Sequence, residues 1–515
     1  MRRADRKSVI DDTDSRESPP RINLQDAPSA TKKRKVPIRH IFFPAALLDR
    51  LVRDIPNFAQ EFACTQIAVA GLLWAGTSSR REHSMYEGYF SFHHAELALA
   101  FGRDFKKINE RLNFLEVKET WRFTSDAVAA GFTKGYRLTE PYLACLTIFL
   151  AEESQKTTRL LDGGGKFYRT LSPVVVSRDI NGVSTQRWRV ANDSKSLNSV
   201  KINQRGLKDL IEVLKQVISD GDHVGQLSQD LALLTTNLVE ARDLYVRALK
   251  LLVMSETDVA GNGHVMQSYV EALSGRLYGL GGASLQNAPK PVRHAALQGC
   301  WDYDIKNCHF SLMNSMAAQH GARCVHIEEY MQNKDEIRAA IALGAGISIE
   351  NAKKCMLAIM YGAKTTTWFE NDIPKLIGVA AAARLFEQPL FTGIASDVQV
   401  AKQTILDGAK PHRQGGIRNA FGKSIPREGV KSNQLLAHIL QGVEAVALRA
   451  CVEVAPNAIV LLQHDGFTAN QRLSIATLEQ AIKKASGYEL ELEEEFLMPD
   501  LMLLKSRLNK SSFPK

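Results

Sequence analysis

Residues 458–470 read AIVLLQHDGFTAN and constrain the fold more than any other stretch of the chain. The aliphatic, β-branched run at 459–462 predicts a buried strand. The Asp-Gly pair just after it is the strongest two-residue hairpin signal that a sequence offers. We therefore expect a hairpin with the carboxylate of Asp465 at its tip. Asp465 also fits an ordinary turn residue, and only residues elsewhere in the chain can decide between these two interpretations.

Composition and charge narrow the class of protein. The chain has 515 residues, a length that fits roughly three domains. Its net charge of +9 favours an anionic partner such as nucleic acid. Its seven cysteines include no C-x-x-C pair, which argues against both a disulfide framework and a zinc site. Because the sequence shows neither a signal core nor an apolar run of membrane length, we expect a soluble intracellular protein without a membrane partner.

Residues 1–37 are rich in charge, contain Ser and Pro, and have few apolar side chains, which predicts a disordered basic tail. The tail includes the basic run Lys32, Lys33, Arg34 and Lys35. Such a run is typical of a solvated surface, and it also fits a nuclear localisation signal or a nucleic-acid contact. A nuclear location therefore stays open beside a cytoplasmic one in a bacterium or a phage host, and nothing in the sequence predicts an oligomeric state.

Residues 38–155 predict a small N-terminal domain. Two short helical patterns joined by a Gly-containing turn, followed by two β-like segments, fit a winged helix. Lys106, Lys107 and Arg111 would then line the exposed face of the second helix. A small α/β domain without a DNA contact fits the same pattern. Residues 156–269 continue with apolar residues at helical spacing and predict a connecting, largely helical region.

Residues 270–515 contain a second strand-end carboxylate and a helix that carries a Lys and a Tyr. Asp304 comes near the end of a short β-like run, WDYDI, which opens into a helical pattern. In the segment NAKKCMLAIMYG, the four-residue spacing places Lys353, Leu357 and Tyr361 on one helical face.

These are the residue types that nucleotide polymerisation requires. Carboxylates at two strand ends, Asp304 and Asp465, can hold two Mg²⁺ ions about 4 Å apart between an attacking 3′ hydroxyl and a departing pyrophosphate. Mg²⁺ prefers a few carboxylates plus phosphate oxygens to a full protein cage, and Mn²⁺ suits the same ligands. Lys353 can neutralise charge on a nucleoside triphosphate, and Tyr361 can pack beside the incoming base.

The order of the motifs G-R-L-Y, L-Q-N-x-P, Asp, K-x7-Y-G, Q-G and H-D resembles that of the family A DNA polymerases and the related single-subunit RNA polymerases of phages and mitochondria. The resemblance covers most of the C-terminal half. It implies an α+β right-hand fold with palm and fingers there, preceded by a mainly helical N-terminal region. It also implies a template-directed polymerase, whose partners are a nucleic-acid template, its product and nucleoside triphosphates.

The resemblance further implies a set of catalytic residues. Asp304 and Asp465 correspond to the metal-binding carboxylates of the palm, and His464 precedes the second of them in the H-D motif. Lys353 and Tyr361 correspond to the conserved Lys and Tyr of the fingers helix in these families.

Four further residues correspond to substrate-binding positions in these enzymes. Gly362 follows the fingers Tyr, and Arg276 matches the Arg of the first motif. Gln441 matches the Q-G of the DNA polymerases, whereas His438 stands where the RNA polymerases carry a His that senses the ribose.

Two departures from the family pattern affect these assignments. Ile349 stands where both families usually carry an Arg, for which Arg338 is a candidate substitute. Asp302 lies beside Asp304, and its Asp-Tyr pair mimics the DNA polymerase motif. We prefer Asp304 as the first metal ligand because the helical run follows it directly.

The sugar of the product depends on conflicting residues. The DNA polymerases carry a Glu that excludes a 2′ hydroxyl at the position of His309, and an imidazole is bulky enough to act in the same way. His438, Leu357 and the H-D-G-F turn are closer to the RNA polymerases. We therefore favour an RNA product, with a family A-like DNA polymerase without proofreading as the alternative. A nucleic-acid-binding replication or regulatory protein with an inactive palm is a third hypothesis, because the basic tail and the winged-helix pattern fit it.

Overall fold

The structure is a computed structural model that describes residues 42–76, 97, 101–122, 132–153, 160–162, 167–168, 188, 194–219, 238–280, 284–409, 411–412 and 415–497. The expected basic tail, with its run at 32–35, lies outside these residues. So does most of the first helix of the predicted winged helix.

Helices and strands are mixed along the described residues, which confirms an α+β chain in its coarse form. The helices are α1 (Ala45–Asp54), α2 (Ala63–Gly76), α3 (Phe105–Leu112), α4 (Glu140–Glu153), α5 (Lys195–Asn198), α6 (Gln204–Ser219), α7 (Leu238–Val253), α8 (Lys290–Ala296), α9 (Cys308–Gln319), α10 (Val325–Gln332), α11 (Lys334–Ala345), α12 (Ile349–Met360), α13 (Asp372–Ile377), α14 (Val379–Phe386), α15 (Pro389–Gly408), α16 (Ser432–Val454) and α17 (Ile475–Ser486). The strands are β1 (Phe42–Pro44), β2 (Leu115–Arg122), β3 (Phe132–Leu138), β4 (Leu160–Asp162), β5 (Phe167–Tyr168), β6 (Ser199–Ile202), β7 (Glu256–Thr257), β8 (Gly263–Met266), β9 (Ser268–Glu271), β10 (Leu277–Leu280), β11 (Trp301–Ile305), β12 (Gly416–Arg418), β13 (Ser424–Pro426), β14 (Ile459–Leu462), β15 (Gly466–Ala469) and β16 (Leu492–Phe496).

A four-stranded antiparallel sheet in the order β14-β15-β11-β16 organises the C-terminal half. Strand β11 is an inner strand, and its Asp304 lies opposite Gly466 of β15 on one side and Glu493 of β16 on the other. Strands β14 and β15 are consecutive in the chain and form the hairpin predicted at 458–470. The strand that carries Asp304 therefore runs directly beside that hairpin.

The sheet lies between two hydrophobic cores. The first core is built mainly by α1–α4 and α6–α8, and it receives Val460 and Leu461 from β14. The second core is built by α9–α17, and it receives Ile459 and Leu462 from the same strand. Because β14 contributes to both cores, all its residues are buried, and its sequence is an unbroken apolar run instead of an alternating one.

The outer edge of β14 is held by side chains rather than by another strand. The hydroxyl of Tyr269 accepts a hydrogen bond from the N–H of Leu462 at 3.0 Å, and Gln286 Nε2 donates to the carbonyl of Leu462 at 3.0 Å. Gln286 Nε2 also donates to the carbonyl of Leu277, while its Oε1 accepts from the N–H of Gly279. The L-Q-N motif therefore ties the β9–β10 hairpin to the residue at which β14 ends.

Of the predicted winged helix, the described residues include the second helix and the two strands. Helix α3 is followed by β2 and β3, which pair antiparallel. Lys106 and Lys107 are exposed on α3, whereas Arg111 forms an ion pair with the buried carboxylate of Glu61. A DNA-binding role for this unit stays a prediction, and the two lysines are the residues that support it.

The region between residues 156 and 269 contains strands as well as helices. Beside the long helices α6 and α7, the strands β6, β8 and β7 form a three-stranded sheet. These strands are short, and a few residues cannot show the sustained alternation by which a strand is recognised in a sequence. Strands β9 and β10 pair with each other, and β9 spans the expected domain boundary between residues 269 and 270. The domain boundaries given above stay predictions.

Helix α16 is long and apolar enough to span a membrane by length and composition alone. Within its most apolar window, 78% of the residues are buried inside the protein. The central helix of a folded domain passes the same test, because it is surrounded by apolar side chains of its own chain.

We expect Gln286→Leu to lower the free energy of unfolding by roughly 3 kcal/mol, because three backbone groups lose their partner and each such group costs about 1–3 kcal/mol. Urea unfolding followed by circular dichroism measures this loss. Gln403 is exposed and bonds only Asp407 among the described residues, so Gln403→Leu should stay within about 0.5 kcal/mol of the parent. Equal losses in the two variants would contradict the structural role of Gln286.

Candidate active site

The hairpin expected at residues 458–470 is present, and its tip carries Asp465. Strand β14 ends at Leu462, and β15 begins at Gly466. The N–H of Gln463 donates to the carbonyl of Gly466 at 2.8 Å. The tip is therefore His464-Asp465 rather than the expected Asp-Gly pair, and Gly466 already belongs to the strand.

Gly466 is required by its neighbour across the sheet. A Cβ at this position would overlap Asp304 Oδ1 and the carbonyl oxygen of Tyr303. Backbone freedom is not the reason for the glycine, because its φ lies outside the left-handed region. The N–H of Ile305 donates to the carbonyl of Asp465 at 2.9 Å. Glycine therefore lets β11 bring Asp304 up against the turn that carries Asp465.

The carboxylates of Asp304 and Asp465 form an exposed, mutually repelling pair at two strand ends. Exclusion of water from part of the Asp304 carboxyl, together with the negative charges of Asp465 and Asp302, raises its pKa to about 6. Lys290 and Arg293 oppose this shift. Carboxylates that share a site are expected to behave in this way. The donor atoms and the repulsion between them fit divalent cations such as Mg²⁺.

Asp302 has a different environment from Asp304. Its side chain is buried, and its Oδ1 accepts hydrogen bonds from Gln463 Nε2 at 2.6 Å and from the hydroxyl of Thr468 at 2.5 Å. These bonds join β11 to the hairpin. The exposed Asp304 is therefore more accessible to an ion than Asp302, and its assignment as the first metal ligand stays a prediction.

A buried network joins the first motif, helix α9, the end of α12 and helix α16. Arg276 Nη2 donates to Glu444 Oε2, and His309 Nε2 lies 2.9 Å from the same carboxylate oxygen. On the other side of the imidazole, the hydroxyl of Tyr361 lies 2.6 Å from His309 Nδ1. The three expected substrate-binding residues Arg276, His309 and Tyr361 are thus brought together, with Glu444 as their common anchor.

Arg276 is engaged inside the protein rather than extended toward solvent. Its side chain is 10% exposed and that of Glu444 is fully buried. Burial alone would lower the pKa of Arg276, but the Glu444 carboxylate outweighs that effect and raises the pKa above its ordinary value. Arg276 therefore stays charged and paired, and a direct contact with a substrate stays a prediction.

Tyr361 connects this network to the carboxylate pair. Burial, aided by the negative charges of Glu444 and Asp465 and opposed by Arg276, raises the pKa of Tyr361 to about 12. The charge of the Asp465 carboxylate therefore contributes to the electrostatic environment of the Tyr361 hydroxyl. At the hairpin tip, the ring of His464 lies 5.1 Å from that of Tyr278, centroid to centroid.

Helix α12 presents the face that its sequence predicts. Lys353, Leu357 and Tyr361 are exposed, whereas its buried residues belong to the opposite side of the helix. Lys354 forms an ion pair with Glu350 at 3.7 Å; Lys353 makes no such pair within the described part of the chain. Two helical turns separate Lys353 from Tyr361, a distance of about 12 Å along the axis.

The position expected to carry an Arg is occupied by an exposed apolar residue. Ile349 begins α12 and is 56% exposed. The proposed substitute, Arg338, lies on α11 and donates from Nε to the hydroxyl of Tyr330 at 2.9 Å. Arg338 is thus held within the helical region, and its assignment as a substitute stays a prediction.

Helix α16 carries the two remaining expected residues in different environments. His438 is buried, its Nε2 lies 3.1 Å from the carbonyl oxygen of Lys423, and burial lowers its pKa. Gln441 is half-buried and makes no side-chain hydrogen bond to other described residues. The burial of His438 weighs against direct contact with a ribose, whereas Gln441 keeps its amide available.

Two motif glycines are explained by packing. Gly362 has φ +90°, and a Cβ there would overlap the side chain of Asn433. A Cβ at Gly442, next to Gln441, would overlap the side chain of Asn419. The expected substrate-binding role of Gly362 stays a prediction, because tight packing alone already requires a glycine.

Cys308, His309 and Glu444 form the group of potential metal ligands found among the described residues, with ligand atoms within 4.8 Å of one another. Glu444 Oε1 is buried without a hydrogen-bond partner in that part of the chain. The Arg276 guanidinium, however, already binds the other oxygen of this carboxylate. A cation placed beside a buried arginine would be repelled, and the group is therefore a poor metal site.

Sequence reasoning missed three residues of this site. Glu444 lies in the apolar helix α16, and the sequence motifs give it no role. A single carboxylate among buried apolar residues indicates that a partner for it is buried as well. Gly466 was interpreted as a turn residue. Tyr278 appears in the sequence only as part of the G-R-L-Y motif, and its ring contacts that of His464 at the hairpin tip.

Comparisons with known proteins give a distant structural likeness. No protein-family model and no curated protein matches the chain. One similar solved structure is the POL domain of Pol1 from M. smegmatis in complex with DNA primer-template and dNTP. It is 14% identical, has a TM-score of 0.41, and the match covers 61% of this chain and 70% of that chain. A likeness this distant does not identify the family of the chain.

The raised pKa of Asp304 predicts a pH-dependent effect on stability in the absence of metal. A carboxyl whose folded-state pKa lies above its unfolded value favours folding at low pH, and this contribution is lost as the pH rises through about 6. The melting temperature of Asp304→Asn minus that of the parent should therefore increase from pH 4 to pH 7 in EDTA. The increase follows the loss of the proton from Asp304 in the parent.

The same comparison with Mg²⁺ at pH 7 provides the control. Mg²⁺ should raise the melting temperature of the parent and leave that of Asp304→Asn unchanged, because a ligand that binds only the folded state stabilises it. A melting-temperature difference that stays flat across the pH range would contradict the raised pKa of Asp304, which burial and the neighbouring carboxylates cause together.

Proposed function

We propose that the chain is a template-directed nucleic-acid polymerase that makes DNA, with residues 270–515 as its palm and fingers. The observation that carries this proposal is the exposed pair Asp304 and Asp465 at the ends of adjacent strands, with Gly466 making their approach possible. A protein that only binds nucleic acid has no need to keep two repelling carboxylates together. The third hypothesis, an inactive palm, is therefore less well supported.

Asp304 and Asp465 would hold the metal ions of this reaction. When bound, Mg²⁺ ions activate the attacking 3′ hydroxyl and neutralise charge on the departing pyrophosphate. The chain itself supplies the ligands, and the bonds from Asp302 to Gln463 and Thr468 fix the strands that carry them. The hydrogen bonds of Tyr269 and Gln286 to the backbone of Leu462 hold the same turn from the outer edge of β14.

Helix α12 would bind the incoming nucleotide. Lys353 is exposed and is not neutralised by a described carboxylate, and it can therefore attract a triphosphate. Tyr361, at the end of the same face, lies beside the network that Asp465 also reaches. This arrangement favours Lys353 over Lys354, whose charge is already paired with Glu350.

The choice between DNA and RNA rests on two histidines. His309 is also buried, but it bonds the exposed Tyr361 near the carboxylate pair, where the bulk of the two rings can exclude a 2′ hydroxyl. His438 is buried against the backbone of Lys423 and has no free ring face for a ribose. These contacts therefore support a DNA product, the alternative, over the RNA product that the sequence favoured.

We expect Asp304→Asn and Asp465→Asn each to reduce Mg²⁺-dependent primer extension by at least about a hundredfold, as for other losses of transition-state charge stabilisation. Asp407 lies in α15 and is a suitable control, so Asp407→Asn should keep full activity. Thermal melting verifies that each variant is folded. Normal extension by either mutant would rule out the metal assignment, and a loss in Asp302→Asn alone would move the site two residues upstream.

We expect the parent to incorporate dNTPs in preference to rNTPs, and His309→Gly to reduce that preference. The reason is steric, because glycine leaves room for the 2′ hydroxyl that the imidazole excludes. Primer extension on a DNA template with separate dNTP and rNTP pools measures both preferences. A parent that uses rNTPs in preference, and loses that preference in His438→Ala, would restore the RNA polymerase hypothesis.

A further inference from the structure

We propose that Glu444 is a positioning residue for sugar selection, which acts by fixing the tautomer of His309 and, through it, the side chain of Tyr361. This inference rests on the proposed function for its effect on nucleotide choice. The geometry that supports it does not depend on that function. Glu444 has no assigned role in the motifs of the sequence, and its side chain is fully buried.

The hydrogen bonds select one tautomer of His309. A carboxylate oxygen can only accept, and His309 Nε2 lies 2.9 Å from Glu444 Oε2, so Nε2 carries the proton. Arg276 Nη2 is also 3.4 Å from this nitrogen, but two donors cannot bond each other, and the guanidinium donates to Glu444 instead. Nδ1 of the neutral ring is then an acceptor.

The tautomer determines the direction of the next hydrogen bond. With Nδ1 as acceptor, the hydroxyl of Tyr361 donates to it across 2.6 Å. The opposite tautomer would place the Nε2 lone pair against the carboxylate of Glu444 and reverse the bond to Tyr361. Glu444 therefore decides which of two arrangements the His309–Tyr361 pair adopts, as a carboxylate commonly does for a functional histidine.

Arg276 keeps Glu444 ionised in the interior. An isolated buried carboxylate would be costly and would tend to take up a proton. The guanidinium balances its charge, and both side chains are almost completely withdrawn from solvent. Arg276 and Glu444 together thus form a neutral, fixed unit that can orient His309 without adding net charge to the site.

The consequence for sugar choice follows from where the two rings lie. The rings of His309 and Tyr361 meet edge to face with centroids 5.7 Å apart, and Tyr361 is 43% exposed. A ring pair locked by a directed hydrogen bond presents a fixed wall to the incoming sugar. If the lock is lost, both side chains gain alternative positions, and the space for a 2′ hydroxyl opens.

The first test compares Glu444→Gln with a matched variant. Gln keeps the shape of Glu444 but can either accept from or donate to His309, so it no longer selects a tautomer. We expect the ratio of kcat/KM for dNTP to that for rNTP to fall on the order of tenfold, the value of one hydrogen bond to a charged group. Glu271 is likewise fully buried and forms an ion pair with Lys423 at 2.7 Å, and Glu271→Gln should leave the ratio unchanged.

A paired variant separates the tautomer from the loss of charge balance. Glu444→Gln leaves the Arg276 cation buried without its partner, whereas Arg276→Met together with Glu444→Gln removes both charges. The proposal predicts that the sugar ratio stays low in the double variant, because the tautomer is still not selected. A return to the parental ratio would assign the effect to the stranded cation and overturn the proposal.

A measurement on the parent protein remains decisive even if the Glu444 variants fail to fold. Nitrogen-15 NMR of histidine-labelled protein distinguishes the tautomers, and the His309 signal is assigned with His309→Gln. We expect the Nε2–H form in the parent, and a mixture of tautomers in Glu444→Gln if it folds. The Nδ1–H form in the parent, or a ring protonated on both nitrogens, would overturn the inference.

The outcomes of the two proposals can be told apart. If the parent incorporates neither dNTPs nor rNTPs, the proposed function fails, while NMR still decides whether Glu444 fixes the tautomer. If His309→Gly opens the site to rNTPs but folded Glu444→Gln keeps the parental ratio, the proposed function holds and the role of Glu444 is rejected.

Discussion

The close approach of two strands at Asp304 and Gly466 is the constraint on which the candidate site depends. Pairing of β11 with β15 places these residues opposite each other, and a side chain at 466 would overlap the Asp304 carboxylate. The same pairing lets the N–H of Ile305 bond the carbonyl of Asp465. A glycine that looks like turn chemistry in the sequence therefore acts as a spacer, which sets how close two negative charges can come.

Holding like charges together requires a rigid frame, and the neighbouring motifs supply it. Gln286 and Tyr269 satisfy both backbone groups of Leu462, so the strand before the turn is fixed although it lies at the edge of its sheet. Asp302 performs a similar task from the adjacent strand. Motifs that resemble those of polymerases are thus explained here by backbone hydrogen bonding, independently of any substrate.

Local patterns predicted the parts of the site that depend on local geometry. The hairpin at Asp465 and the exposed face of Lys353, Leu357 and Tyr361 follow from the periodicity of strands and helices, and the structure contains both. Glu444 could not be placed in this way. Periodicity shows that it lies on a helix, but only the packing of α16 against distant segments reveals that Arg276 and His309 meet it.

The same limit explains why the sequence favoured RNA. His438 matches a ribose-sensing position only by its place in the chain. In the fold it is buried, and its Nε2 contacts the carbonyl of Lys423 in the turn between β12 and β13. His309 pointed to a DNA product, but its contact with Tyr361 could not be foreseen, because the two residues lie far apart in the sequence. A residue type at the right spacing identifies a candidate, and its hydrogen-bond partners decide what it can do.

The two carboxylate sites of this region are suited to opposite tasks. Asp304 and Asp465 are exposed residues, although protein atoms exclude water from part of the Asp304 carboxyl, and they lack a described cation at salt-bridge distance. Their repulsion would therefore persist until a metal relieved it. Glu444 is enclosed and is already balanced by Arg276. An enclosed carboxylate with its own cation cannot exchange ions readily, but it can hold a histidine in one orientation. The separation of these environments would allow the proposed metal binding and the proposed sugar selection to lie side by side without competing for the same charges.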